Sequence, residues 1–233
     1  MSSTKSPLLQ QLQEMADPDY AVQVRRFFKD GPGGYAEGDV FMGVRIPQIR
    51  KLLPQTDSLS LSQLEKILHS KKHEERLLAL LALVRRYEQS DDTLRLSIVK
   101  IYLDNSRWIN NWDLVDLTAH KILGAWLLTR EREVLETLSC SPLLWERRIA
   151  VVSTYAFIRK RQLADTFLLS KKLLKDPEDL MHKACGWMLR EAGKRDEAAL
   201  CQFLDMHRGD MPRTMLRYAI EKFAEPKRQR YLR

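Results

Sequence analysis

Apolar residues along the chain recur at helical spacing, in amphipathic segments of roughly 10–18 residues separated by short polar breaks. The breaks carry stop and start signals: Asp17-Pro18, Pro54, Asp91-Asp92, Ser141-Pro142, Asp176-Pro177 and Met211-Pro212. Between them the pattern predicts helices over 6–15, 18–29, 46–53, 60–70, 73–88, 92–104, 111–128, 131–139, 142–160, 163–174, 178–192, 195–207 and 212–223. No alternating apolar run is bounded by hairpin turn signals, so the predicted class is all-α.

The longer segments repeat. HEERLLALLALVRRY begins at His73, NWDLVDLTAHKILGAW at Asn111, LWERRIAVVSTYAFIRK at Leu144, DLMHKACGWMLREAGK at Asp179 and MPRTMLRYAIEKF at Met211, with starts 38, 33, 35 and 32 residues apart. Each opens on polar or aromatic residues, places a charge early and continues into an apolar body. A shorter helix separates each from the next. Helix pairs at this spacing predict an α-solenoid of the HEAT or armadillo kind, here as one repeat domain over residues 1–233. Such pairs stack on their neighbours and line a concave face with the same helix of every pair.

One segment breaks the pattern. GPGGYAEGDVFMGVRIP, residues 31–47, holds five of the nine glycines and reads as a loop between helices, with 31–45 as its extent. It follows a helix rather than a strand, and Ala36 stands where a dinucleotide fingerprint needs its third glycine. No Gly-Lys-Ser/Thr follows, so it is not a phosphate-binding P-loop either.

Composition sharpens the helical reading. Leu occurs 37 times, against 20 for Val and Ile together, and Leu favours helices where β-branched residues favour strands. With 44% apolar and 30% charged residues the chain is globular rather than disordered. Its longest apolar run, 77–84, has eight residues and is too short to span a bilayer. The opening MSSTKSP lacks the hydrophobic core of a secretory signal, so secretion is not expected. Cys140, Cys185 and Cys201 form no CxxC pair. Their odd number fits neither a zinc ribbon nor a disulfide framework, and all three are expected to be reduced, small buried hydrophobes.

Charge adds a partner. Lys and Arg total 39 against 31 Asp and Glu, a formal net charge of +8. Early positions of the long helices carry Arg76, Arg147, Arg148, Lys183 and Arg213. On a solenoid these fall along one edge of the concave face, a basic stripe suited to a polyanion. The tail EPKRQRYLR adds Lys227, Arg228, Arg230 and Arg233, whose simpler reading is solvated cations on a frayed end. No helix pairs a basic face with a broad exposed apolar one, which argues against a membrane surface. His69 and His73 stand at a helical ligand spacing. Yet HSKKH spans a helix junction among lysines, with no carboxylate or cysteine to complete a site. No metal and no cofactor are expected.

The informative constellation combines aromatic, acidic and guanidinium side chains. Trp112 and Asp116 lie four apart in NWDLVD and share one helix face. Asp113 is suited to capping the helix start or pointing elsewhere. Arg148 opens a later long helix, and Trp187 with Arg190 lies on the next. A carboxylate between two indole faces with a guanidinium beside it is unusual. The plain alternative places both indoles in the core and pairs Asp116 with a helix neighbour.

In these residues the chain resembles the AlkD-like DNA glycosylases, DNA alkylation repair proteins built from HEAT-like repeats. The resemblance runs from FMGVRIPQIR at Phe41 to the penultimate helices, and is carried by NWDLVD (111–116), LWERRIAV (144–151) and GWMLRE (186–191). It implies functional roles for Trp112, Asp116, Arg148 and Trp187, all of the types that the family uses. It further places Arg190 at a family position near DNA, and Arg45, Lys183, Arg159 and Lys160 are expected as additional DNA contacts. Two departures stand out: the glycine-rich insert is longer, and Ala156 occupies a position where some members place a lysine close to DNA.

What the resemblance implies is a monofunctional glycosylase that removes cationic N3- and N7-alkylated purines from duplex DNA. It implies a monomer without membrane or metal, located in the bacterial cytoplasm and at the nucleoid when bound. Alkylation makes the base a good leaving group, so no strong general acid is required. Asp116 would stabilise the positive deoxyribose and position water. Trp112 and Trp187 would pack on the sugar, and Arg148 would hold the backbone. Members of the family act without a tight base pocket, which implies tolerance of bulky adducts. The rival reading is a non-catalytic HEAT-like module for branched or distorted DNA, and a protein-interaction scaffold is a third. Neither accounts for a carboxylate facing a polyanion.

Overall fold

A computed structural model describes residues 6–233. The architecture is all-α, of the α-solenoid class, and the described residues contain no strand beyond one isolated bridge between Val40 and Lys72. No helix among them is long and apolar enough to cross a membrane. Two compact units divide the chain, one ending at Thr118 and the other spanning Ala119–Arg233.

The first unit contains α1 (Pro7–Glu14), α2 (Pro18–Arg25), α3 (Ile46–Leu52), α4 (Leu61–Leu68), α5 (His73–Gln89), α6 (Asp92–Asp104) and α7 (Trp112–Thr118). Local chemistry fixes their starts. Asp17 accepts from the Tyr20 N–H at 2.9 Å, and Asp91 from the Leu94 N–H at 2.9 Å. Ser60 and Gln63 close a reciprocal capping box on α4. Helix α5 is the axis of this unit: 77–84 is buried on every face, and α3, α4, α6 and α7 pack on it.

The second unit contains α8 (Leu123–Trp126), α9 (Glu133–Ser139), α10 (Leu144–Ile158), α11 (Ala164–Lys172), α12 (Asp179–Gly193), α13 (Glu197–His207), α14 (Arg213–Ala219) and α15 (Glu225–Leu232). Helix α12 packs on α10, α11, α13 and α14, the neighbour-on-neighbour order of stacked pairs. Gly186 makes the α12–α14 approach possible. A Cβ there would lie 2.6 Å from the Met215 carbonyl oxygen and 2.5 Å from the Tyr218 Cβ.

Three of the five early cations, Arg76, Arg147 and Arg148, are drawn into the fold, while Lys183 is half-buried and Arg213 exposed. The fourth residue of α5, α10 and α12 reaches back in each case to a carbonyl six residues earlier. Arg76 donates to Ser70 O at 2.9 Å, Arg147 to Ser141 O at 3.0 Å, and the His182 Nε2 meets Asp176 O at 2.6 Å. Arg76 also pairs with Asp39 at 2.6 Å, and Arg147 with Asp176 at 2.6 Å. Arg76 is 1% exposed, so it is a helix-start staple and offers nothing to a polyanion.

Five boundaries or placements differ from expectation, and the first is the segment 212–223, which leaves the helix after Ala219. The segment 18–29 leaves the helix after Arg25, and i→i−3 bonds from Phe27 and Phe28 turn the chain there. The segment 111–128 is two helices: the Thr118 hydroxyl back-bonds to Leu114 O, and the Gly124 N–H returns to Ala119 O at 2.9 Å. The basic tail is not frayed. It forms α15, anchored by the buried Tyr231 and by Lys227 on Glu197 at 2.6 Å. Of the cysteines only Cys185 is fully buried, while Cys140 is exposed at the end of α9.

Candidate active site

Helix α7 opens immediately on the candidate residues of the motif NWDLVD. Asn111 Oδ1 accepts the Trp112 N–H at 3.0 Å, and Asp113 Oδ1 accepts the Leu114 N–H at 2.9 Å, so the first turn is tied off by its own side chains. Asp113 is buried, and its other oxygen meets His73 Nε2 at 2.8 Å. That bond joins the starts of α5 and α7 and, with the first-turn ties, fixes the rotation of α7. The half-buried Trp112 and Asp116 then face the same pocket, one turn apart.

The pocket is about 290 Å³, and all of its lining lies in the first unit. Its walls are aromatic. Phe41 stacks on Phe28 with centroids 4.9 Å apart, Phe28 stacks on Trp112 at 5.4 Å, and His73 stacks on Phe41 at 4.9 Å. Trp112 donates its indole N–H to Phe27 O at 3.2 Å. The Phe27 side chain stands at the lip, 71% exposed.

The glycine-rich segment delivers Phe41 to this place. Glu74, buried at the start of α5, accepts the N–H groups of Met42 and Gly43 at 2.9 and 2.8 Å. Asp17 N donates to Met42 O at 3.0 Å. Gly43 has φ +79°, and a Cβ would fall 2.1 Å from Asp17 O, so no other residue fits. Phe28, Phe41 and Glu74 were absent from the candidates drawn from sequence. For the two phenylalanines the available signal was aromatic residues just before and within the glycine-rich segment.

The remaining candidates occupy varied settings. Arg45 is exposed and stacks over Tyr20 at 3.8 Å from the ring centroid. In the second unit Trp187 lies beside Tyr155, with centroids 6.0 Å apart, and Tyr155 meets His120 edge-on. Arg148 is 4% exposed, and its guanidinium donates to Leu180 O, tying α10 to the first turn of α12. Lys183 pairs with Asp179 at 2.7 Å, and Arg190 with Glu191 and Glu221. Lys222 and Arg190 hold the Glu221 carboxyl below its ordinary range. Arg159 and Lys160 are exposed at the end of α10.

His69 and His73 do not converge. His69 Nε2 meets Asn105 Oδ1 at 2.5 Å, while His73 meets Asp113. Among the described residues no group of three or more His, Cys, Asp or Glu side chains is placed to hold a metal ion.

Comparison with known proteins agrees with the family resemblance. The family model described as "DNA alkylation repair enzyme" matches residues 8–223. A solved structure, a predicted DNA alkylation repair enzyme from Enterococcus faecalis, has the same fold with a TM-score of 0.69 at 17% identity, covering 91% of this chain and 98% of that chain. No match is found among curated proteins.

Proposed function

The chain belongs to the DNA alkylation repair enzyme family, and from that premise we propose that it is a monofunctional DNA glycosylase. It hydrolyses the N-glycosidic bond of cationic N3- and N7-alkylated purines in duplex DNA. The observation that carries this reading is the placement of Asp116 one helical turn from Trp112 at the edge of an aromatic pocket. A carboxylate there has no use in gripping phosphates and a direct use beside a developing cation.

The C1′–N bond breaks with its electrons going to the base, which leaves neutral because it was already cationic. Positive charge appears on the deoxyribose, as in other glycoside cleavages. Asp116 stabilises that charge and orients the water that adds to C1′ and gives up its proton to solvent. Trp112 offers its ring face to the sugar cation, its plane fixed by the Phe27 carbonyl and the Phe28 ring.

Trp187 is assigned to the lesion sugar and Arg148 to the DNA backbone on the strength of their motifs. The packing of Arg148 gives it a second duty, holding Leu180 O. Exposed Arg45, Arg159 and Lys160 are suited to phosphate contacts. Assay of base release from methylated duplex DNA by wild type and Asp116→Asn tests the reading. The variant is expected to bind DNA and release little base.

A further inference from the structure

One backbone carbonyl in the first unit takes two side-chain donors. Phe27 O accepts the indole N–H of Trp112 at 3.2 Å and the phenol O–H of Tyr35 at 3.2 Å. A carbonyl oxygen has two lone pairs, so the donors do not compete. Among the described residues no backbone N–H bonds to this oxygen. The Phe27 side chain lies mostly in solvent, so its own packing does little to fix the carbonyl. The turn bonds from Phe27 N to Val24 O and from Phe28 N to Arg25 O secure the chain on the other side of it.

Tyr35 belongs to the glycine-rich segment, and that segment is folded to deliver it. Ala36 N donates to Lys29 O at 2.9 Å, and the Ala36 side chain is buried. Gly34 sits inside this closure, where a Cβ would fall 2.0 Å from Lys29 O. Further along, Arg76 holds Asp39, and Val40 N donates to Lys71 O at 2.9 Å. Both flanks of Tyr35 are tied down, and its hydroxyl reaches the carbonyl from a fixed place.

We propose that Tyr35 is a positioning residue for Trp112. It acts through the shared Phe27 carbonyl, holding that acceptor where the indole N–H meets it, so that the ring keeps its angle to the lesion sugar beside Asp116. The proposal rests on the glycosylase reading and deepens it, because it gives the glycine-rich segment a part in the rate of base release.

The test is a double-mutant cycle on the whole chain. Single-turnover release of 7-methylguanine from methylated duplex is measured for wild type, Tyr35→Phe, Trp112→Phe and the double variant, at a temperature where circular dichroism shows all four folded. Tyr35→Phe removes only the hydroxyl. It is expected to slow release by about threefold to tenfold, the scale of one neutral hydrogen bond, and to leave DNA affinity within about twofold of wild type. In the Trp112→Phe background the same change is expected to alter release by less than about twofold, because the N–H it positions is gone. Equal slowing in both backgrounds, the mark of a merely structural role, overturns the proposal, as does full release by Tyr35→Phe. Should Tyr35→Phe not fold, Tyr35→Leu takes its place in the cycle. Near-UV circular dichroism of the DNA-free proteins reads the indole itself. The difference between wild type and Trp112→Phe isolates the Trp112 bands, and Tyr35→Phe is expected to change them at long wavelength, where tyrosine does not contribute. If wild type releases no base, the glycosylase reading falls. The near-UV bands then decide alone: altered bands keep the contact standing, and unaltered bands remove it.

Discussion

The indole N–H of Trp112 is bonded to the backbone carbonyl of Phe27 at 3.2 Å, across 85 residues of chain. The contact joins the turn after α2 to the start of α7 and sets the plane of the ring that neighbours Asp116. Because the acceptor is backbone, the Phe27 side chain is free to be exposed. Trp112→Phe removes the bond and keeps a ring, and is expected to cost about 0.5–1.5 kcal/mol of stability. Phe27→Ala keeps the bond and should change stability by no more than about 0.5 kcal/mol, as at other exposed positions. Urea unfolding of the two variants checks the contrast.

The Arg76–Asp39 pair is a second structural anchor, with side chains 1% and 6% exposed. Arg76→Ala leaves a buried carboxylate without its cation and is expected to cost about 3–5 kcal/mol. That loss should appear as a lower urea midpoint. A midpoint equal to wild type would remove Arg76 from the helix-start staple.

These staples show what was legible in the sequence and how it was misread. The periodic early cations are visible in the sequence, and two of them, Arg76 and Arg147, share one helix-start contact that His182 repeats on α12. Sequence alone does not reveal that Arg76 and Arg147 have acidic partners in loops, at Asp39 and Asp176, because those partners lie 37 and 29 residues away. Helix positions followed from apolar spacing and caps. The break after Thr118 did not, because a side-chain back-bond and one glycine N–H make it without any proline. At the site, Trp112 and Asp116 followed from helical spacing. The pocket they border did not, since Phe28 and Phe41 reach it through a turn and a glycine-dependent loop, neither of which has a period.

Arg148 has two duties that salt can separate. Arg148→Ala is expected to lower the melting temperature, because Leu180 O loses its donor. If the guanidinium also meets a phosphate, the slope of log K against log salt falls by about one as well. Melting and DNA-binding titrations at several salt concentrations distinguish these effects. A lower melting temperature with an unaltered slope confines Arg148 to holding α12.

Burial pushes the Cys185 thiol up from 9.0 to about 12. The folded state therefore keeps a proton that the unfolded chain has lost. The stability contributed is complete below pH 9.0 and is lost as pH rises from there toward 12. Wild type should lose stability over that window more steeply than Cys185→Ala, by up to about 1.4 kcal/mol per pH unit. At neutral pH a thiol reagent should label the exposed Cys140 first and reach Cys185 only on unfolding. Mass spectrometry of the labelled peptides reads the order.

The central claim is that Asp116 performs chemistry at a site built for it. Its most direct test is release of 7-methylguanine from methylated duplex DNA in EDTA, by wild type and Asp116→Asn at matched concentration, with DNA binding measured in parallel. The account predicts release by wild type that is unaffected by EDTA. It predicts release lowered by at least about a hundredfold in the variant, the scale of losing a transition-state charge partner, with binding retained or tighter. Equal release by the two proteins, or none by wild type despite tight binding, would contradict it.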